Sequence, residues 1–245
     1  MIQVEGLGKR FGDTWALRGL DFRVEPGTFL GVLGRNGAGK TTLLRILTGQ
    51  MTPSEGRARI LGLDIADRPI GLRRRLGVMP EAGGLLEGMT GEQYLCFVGQ
   101  IHGLNPTLLR ERMGELGDLI EIDFRQASQI AAYSFGMKKK VALAAALLHA
   151  PELLFLDEPF EGLDPVGSDR LRVLLESLNS KGVTVVLTSH VLTMAERLCS
   201  RFLLVDQGRV LVDAEAKAMG EEVGRLEQLF LSKVDRGLAR ELSWM

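Results

Sequence analysis

Scarcities narrow this sequence before any motif does. Its 245 residues hold two cysteines, Cys96 and Cys199. They lie far apart, in neither a metal-ligand nor a redox spacing, which excludes a disulfide framework and a cysteine metal site. Both are expected to be small core residues, in a reducing compartment. Charge of either sign is also scarce in net terms, with 30 Lys and Arg against 31 Asp and Glu. No global basic field is there to recruit nucleic acid or an anionic membrane. No apolar run reaches the roughly 18–20 residues that a membrane-spanning helix needs. The richest stretch, residues 141–156, is interrupted by His149, Pro151 and Glu152. Met1-Ile2-Gln3-Val4-Glu5 lacks the apolar stretch of a secretory signal. Internal repeats and long linkers are missing too. The expectation is a soluble chain, large enough for one domain with a sub-domain, that reaches a membrane only through a partner.

What is present is Gly34-Arg35-Asn36-Gly37-Ala38-Gly39-Lys40-Thr41-Thr42. It fits G-x-x-x-x-G-K-[ST], the loop that holds nucleotide phosphates. The apolar run before it, residues 29–33, reads as a buried strand, and Leu43-Leu44-Arg45-Ile46-Leu47 after it reads as a helix start. Glycines let such a loop turn tightly and bring its N–H groups to phosphate oxygens. The helix N-terminus adds partial positive charge. Lys40 is placed to reach the β- and γ-phosphates and Thr41 to ligate magnesium.

Short apolar runs recur at residues 2–4, 20–24, 29–33, 59–61, 76–79, 153–156, 183–187 and 202–205. Several are nearly continuous and β-branched, as in strands buried on both faces. Helical spacing lies between them, as in Leu171-Leu174-Leu175-Leu178 and Val191-Met194-Ala195-Leu198. Alternation of this kind predicts an α/β fold with a parallel sheet. The early strands, turned at Gly12-Asp13 and Pro26-Gly27, predict an antiparallel addition. Residues 83–150 carry no strand pattern but helical stretches near 92–101, 106–119 and 136–148, which predicts a helical insertion. Residues 1–82 and 151–215 then form the nucleotide-binding core. Residues 216–245 form a helical tail with Val223, Leu226, Phe230 and Val234 on one face. Met79, Met89 and Met113 are expected to be adaptable core filler.

The run Leu153-Leu154-Phe155-Leu156-Asp157-Glu158 is an apolar strand ending in two carboxylates. Ligands bind at such strand C-termini in open α/β sheets. Asp157 suits magnesium, which takes few carboxylates beside phosphate oxygens and water. Glu158 suits polarising the water that attacks the γ-phosphate.

On these motifs the chain resembles the nucleotide-binding subunit of an ATP-binding cassette (ABC) transporter, over nearly its whole length to about residue 215. The resemblance implies a P-loop NTPase (RecA-like) α/β core with an antiparallel β addition and an inserted helical subdomain. It makes residues 34–42 the Walker A loop and residues 153–157 the Walker B strand, with Glu158 as the catalytic glutamate. The Q-loop position falls at Glu81, the signature at Tyr133-Ser134-Phe135-Gly136-Met137, the D-loop at Glu161-Gly162-Leu163-Asp164 and the switch histidine at His190. Phe11 falls where the family stacks an aromatic on adenine, and Trp15 nearby is expected to pack. Asn36, Gly37, Ala38, Gly39 and Thr42 are expected around the ATP phosphates with Gly34, Lys40 and Thr41. Ser134 and Gly136 are expected to bind the γ-phosphate of ATP held by a second nucleotide-binding subunit, identical or not. His190 is expected to contact that phosphate and hold the water's geometry. His102 and His149 match no motif and are expected at the surface or at helix ends.

The implied activity is ATP hydrolysis with Mg2+, powering transport by dimer closure through separate membrane subunits. A permease docks between Glu81 and Glu92, at the cytoplasmic face of the membrane, and no nucleic acid is bound. The motifs resemble exporters of the ABC-2 class. The competing readings are a non-transport ABC ATPase and a regulatory nucleotide-binding module; a GTPase would need an Asn-Lys-x-Asp motif, which is missing. Three departures stand out. The signature ordinarily reads Leu-Ser-Gly-Gly-Gln and keeps only Ser134 and Gly136 here. Lys138-Lys139-Lys140 follows it and is expected to be a solvated helix face. Glu81 replaces the usual glutamine and is expected near magnesium only in the ATP-bound state. Glu81→Gln and Glu81→Ala should therefore differ from each other in ATPase rate and transport coupling; equal values in both assays would remove Glu81 from the metal's surroundings.

Overall fold

The computed structural model describes residues 1–67, 70–80, 84–219 and 224–233. Strands β1 (Ile2–Phe11) and β2 (Thr14–Val24) form a hairpin, and β3 (Phe29–Leu33) leads into helix α1 (Lys40–Leu47). Then come β4 (Glu55–Ile60), β5 (Leu63–Asp64), the short α2 (Ile70–Arg73) and β6 (Leu76–Met79). Three helices follow without a strand: α3 (Gly91–Ile101), α4 (Pro106–Ile120) and α5 (Phe135–Leu147). The chain returns through β7 (Leu153–Leu156), α6 (Pro165–Ser180), β8 (Thr184–Ser189), α7 (Leu192–Leu198), β9 (Arg201–Asp206), β10 (Arg209–Glu215), α8 (Ala216–Met219) and α9 (Arg225–Lys233).

Two sheets result. One is antiparallel, in the order β2-β1-β4-β5; the other has the order β10-β9-β3-β8-β7-β6 and is parallel except for β10. Strands β3, β7 and β8 are buried at every residue, because both faces of the large sheet are covered. Leu30, Val32, Leu153, Phe155, Val186 and Leu203 point to α1 and the antiparallel sheet, while Phe29, Leu33, Leu154, Leu156, Val185 and Leu204 point to the helices. That two-sided burial is what the continuous apolar runs encode.

Helix starts follow local chemistry. Thr90 and Gln93 make a reciprocal capping box on α3; Asn105 and Asp164 cap α4 and α6, each with proline in the first turn. Strand β10 is not among the apolar runs singled out above, although it holds Val210-Leu211-Val212. Its turn supports that run: Gln207 and Gly208 both have left-handed backbone, φ 46° and 73°, between Asp206 and its partner Arg209, the geometry of a two-residue hairpin. In the tail, Leu226 and Phe230 of α9 are buried as expected, whereas Val223 and Val234 lie outside the described residues.

Register sets the functional edge. Leu33 pairs with Ser189, Leu156 with Leu187, and Met79 with Leu156. Residues 34, 157–158 and 190 therefore leave the sheet side by side. Strand β3 lies between β8 and β9, and the chain crosses from it to the far edge before returning, so this edge is a topological switch point.

His102 ends α3 and His149 follows α5. Both are helix-end residues, as expected, but they are half-buried and stacked, with ring centroids 3.7 Å apart. His149 Nε2 lies 2.9 Å from Leu76 O. Burial, and then the charge of His102, push the His149 imidazole down to about 4; burial and then Arg74 lower His102. The unfolded chain therefore takes up protons that the folded one refuses. Stability should be full above the ordinary histidine range near ~6.5 and fall as pH drops from there toward about 4. His149→Gln should flatten that fall in melting temperatures at pH 7.5, 6 and 5; an unchanged slope would show that the pair is not its source.

Candidate active site

The loop between β3 and α1 is shaped by close backbone approach. A Cβ on Gly34 would stand 2.1 Å from Val205 O, and one on Gly39 2.5 Å from Ala16 O. Gly37 and Gly39 also have φ of 80° and 105°, which side-chain-bearing residues rarely adopt. Asn36 is exposed and Ala38 buried, while Thr41 and Thr42 are half-buried in the first turn of α1. No side chain caps that helix, so its first N–H groups and positive dipole end face outward as an anion site. Lys40 is buried and its Nζ donates to Gly34 O at 2.8 Å and Arg35 O at 3.2 Å. Its third neighbour is Glu158 Oε1 at 3.3 Å. Two of its three ammonium protons are thus hydrogen-bonded to backbone carbonyls, and Glu158 is its ion-pair partner.

Glu158 is where the elements meet. It follows β7 with φ 48°, a left-handed conformation that costs a non-glycine residue about 1–2 kcal/mol. Its N–H donates to Thr188 Oγ1 at 2.9 Å, and its carbonyl accepts from Lys139 Nζ at 2.5 Å. Oε2 lies 3.0 Å from His190 Nδ1 and accepts from the His190 N–H at 3.3 Å. The Lys40–Glu158 pair is about 6–7% exposed on both sides. Removing one partner of such a buried pair costs about 3–5 kcal/mol, against about 0–1 for a surface pair.

Asp157 is buried. Its N–H donates to Met79 O at 2.9 Å and its Oδ1 accepts from Thr188 Oγ1 at 2.5 Å. No cation among the described residues pairs with it. A buried carboxylate whose one hydrogen-bonding side chain is a neutral hydroxyl suits a hard divalent cation. No group of three His, Cys, Asp or Glu placed to hold a metal ion occurs among the described residues. Glu81, the other acid assigned to magnesium, lies outside the described residues.

Ser134 and Gly136 sit apart from the Lys40 loop. Among the described residues no hydrogen bond or ion pair joins them to residues 34–42. Ser134 caps α5, accepting from Met137 N–H at 3.2 Å. Gly136 is open: the nearest atom to a Cβ there would be Gly162 O at 3.9 Å. With Phe135 they border a cavity of about 510 Å³ shared with Leu163 and Asp164. Phe11 is half-exposed, with Lys9 Nζ 5.3 Å from its ring centroid. Trp15 packs against Gly8 and takes Arg10 at 5.8 Å from its centroid.

The lysine run is corrected by this geometry. Lys138 pairs with Glu87 and Lys140 donates to Glu121 O, but Lys139 is 5% exposed and reaches Glu158. Its position on the inner side of α5, between Gly136 and Leu143, is the one sequence signal that separates it from its neighbours. Thr188 was legible only as a polar residue at the end of an apolar strand. A second cavity, about 540 Å³, lies between the helices and the sheet, bordered by Thr48, Gln50, Arg73, Tyr94, His102 and His149.

Comparison with known proteins places this arrangement. A family model described as "ABC transporter" matches residues 17–161. The daunorubicin resistance ATP-binding protein DrrA3 of Streptomyces coeruleorubidus is 40% identical over 223 residues, 91% of this chain and 71% of that protein. The Nod factor export ATP-binding protein I of Cupriavidus metallidurans is 35% identical over 225 residues, 91% of this chain and 74% of that protein. A solved ATP-binding subunit of an ABC transporter superposes with a TM-score of 0.86 at 30% identity, covering 94% of this chain and 99% of that one. A bacterial ABC transporter cassette solved as a dimer gives 0.81 at 25% identity, over 88% and 99%. The anion-binding loop, the carboxylate pair and His190 thus occur together in a chain that belongs to the ABC transporter family, as an ATP-binding and ATP-hydrolysing cassette.

Proposed function

We propose that two such cassettes, identical or not, close head to tail around two ATP molecules and so power export through separate membrane subunits. The observation that carries this reading is the separation of the two half-sites. Residues 34–42 have an uncapped helix start but no signature residue beside them, and Ser134 and Gly136 form a second, open helix start. A second copy can complete each site, and the relative solved as a dimer supports that arrangement.

In each site the backbone N–H groups from Gly34 through Asn36, Gly37, Ala38 and Gly39 to Thr42 hold the phosphates, and Phe11 stacks on the base. Thr41 and Asp157 would hold Mg2+, which would offset phosphate charge, with Glu81 as a further acidic group near it. A phosphate oxygen takes the place of Glu158 beside Lys40, whose two hydrogen bonds go to the loop's own carbonyls. The freed Glu158 carboxylate then polarises the attacking water, and His190 keeps it aligned through Nδ1. The reaction is phosphoryl transfer to water, in which the protein contributes position and charge.

Residues 83–150 act as a helical subdomain on the core formed by residues 1–82 and 151–215, with 216–245 as a tail. The groove of about 540 Å³ beside α3, together with the segment from Glu81 to Glu92, receives the permease at the cytoplasmic face of the membrane. No helix among the described residues is long and apolar enough to cross a membrane. Export rather than import is supported by the relatives named for drug resistance and Nod factor export. Nucleic acid is not a partner on this reading.

Glu158→Gln tests the core of it. ATP binding should stay within about threefold, while phosphate release should fall by at least about 10²-fold, the scale of a lost general base. The variant should elute as a dimer in ATP and a monomer without it. Undiminished phosphate release would remove Glu158 from catalysis, and an unchanged elution volume in ATP would remove the dimer.

A further inference from the structure

The residue between the two catalytic carboxylates and the sheet is Thr188, and it has no assigned role. It is fully buried on β8, opposite Val32 of β3 and directly after the apolar run Val185-Val186-Leu187. Valine would fill this position with the same branched shape and equal strand preference. A buried hydroxyl is instead costly unless it is bonded. Thr188 Oγ1 is bonded twice, at 2.5 Å to Asp157 Oδ1 and at 2.9 Å from the Glu158 N–H.

The directions of those bonds follow from the donor inventory. A backbone N–H can only donate, so Oγ1 accepts from Glu158. The hydroxyl has one proton, and that proton goes to Asp157 Oδ1. Oδ1 is therefore an acceptor held in a fixed direction, and no hydrogen bond among the described residues engages Oδ2. The same hydroxyl anchors the N–H of a residue in left-handed backbone, and so fixes where the Glu158 side chain departs from the chain.

We propose that Thr188 is a positioning residue for ATP hydrolysis: one hydroxyl orients Asp157 toward the metal side and Glu158 toward the water. This rests on the roles given above to the two acids. Releasing the anchor lets the backbone at Glu158 relax and moves its carboxylate by about 1 Å, a misplacement that costs on the order of 10²-fold in rate.

The test compares Thr188→Val, which keeps shape and removes both bonds, with Thr188→Ser, which keeps the hydroxyl. Thr188→Val should lower kcat by about 10²-fold. A fluorescent ATP analogue should bind it within about threefold of the parent protein in EDTA, but Mg2+ should no longer tighten that binding. Thr188→Ser should restore kcat to within about fivefold and recover the Mg2+ effect. A lowered melting temperature in Thr188→Val with unchanged kcat and unchanged Mg2+ effect would reduce Thr188 to a structural residue and overturn the proposal. If the valine variant does not fold, Thr188→Ala against Thr188→Ser decides, and equal kcat in the two overturns it. Glu158→Gln assayed in parallel separates the layers. If that variant keeps full turnover, the catalytic reading fails; if it loses turnover while Thr188→Val does not, the proposal alone fails.

Discussion

Everything in this site hangs on a turn that the chain makes unwillingly. Strand β7 is buried throughout, and Asp157 still donates to Met79 O as if the ladder continued. One residue later the backbone swings into left-handed space at Glu158. An acidic residue in that conformation, 6% exposed, is unfavourable by backbone strain and by desolvation. It persists because each part of the fold contributes one contact. Thr188 holds its N–H, Lys139 its carbonyl, Lys40 one carboxylate oxygen and His190 the other. The carboxylate is thus the intersection of β8, α5, α1 and the segment after β8.

What the sequence made legible follows from which signals are one-dimensional. Strands β3, β6 and β7 could be read to the residue, because a strand covered on both faces is an unbroken apolar run. Strands β1 and β2 extend well past their apolar ends at residues 2–4 and 20–24. Bulges near Val4, Leu7 and Lys9 interrupt their alternation, so period-two reading stops short. Strand β10 is half-exposed and lies at the sheet edge, so its apolar run Val210-Leu211-Val212 is short and followed at once by Asp213. The edge that carries Gly34, Asp157, Glu158 and His190 could be expected from strand–loop order alone, since a parallel sheet brings its strand C-termini together. The side chains behind that edge could not. Helical spacing from Gly136 and Leu143 marks Lys139 as the lysine on the inner side, but it does not name Glu158 as its partner, and nothing in Thr188-Ser189-His190 says that the threonine proton is committed to Asp157. Those are facts of three-dimensional register.

The departures in the signature segment also make physical sense together. Phe135 stands where the family pattern carries glycine, and its ring lies where a Cβ on Gly162 would come within 2.5 Å of it. Gly162 has φ 72°, so glycine there serves both the turn and the ring. Lys139 Nζ lies 5.0 Å from the Phe135 centroid while donating to Glu158 O. The helix start that carries Ser134 is thereby tied, within one chain, to the turn that carries Glu158. The larger side chain does not block Gly136, whose outer face stays open.

Helix α5 gives these contacts a common frame. It spans Phe135–Leu147, about 20 Å at 1.5 Å per residue, and every residue from Val141 to Leu147 is buried. The stretch packed on all sides has little room to yield. Its first turn carries Gly136, its second brings Lys139 to Glu158, and its far end borders the 540 Å³ groove at Ala145 and Ala146, next to the stacked His102–His149 pair. The groove and the helix start at Ser134 therefore lie at opposite ends of one helix. Glu158 lies beside its second turn, so the placement of its carbonyl, held by Lys139, is tied to the position of α5.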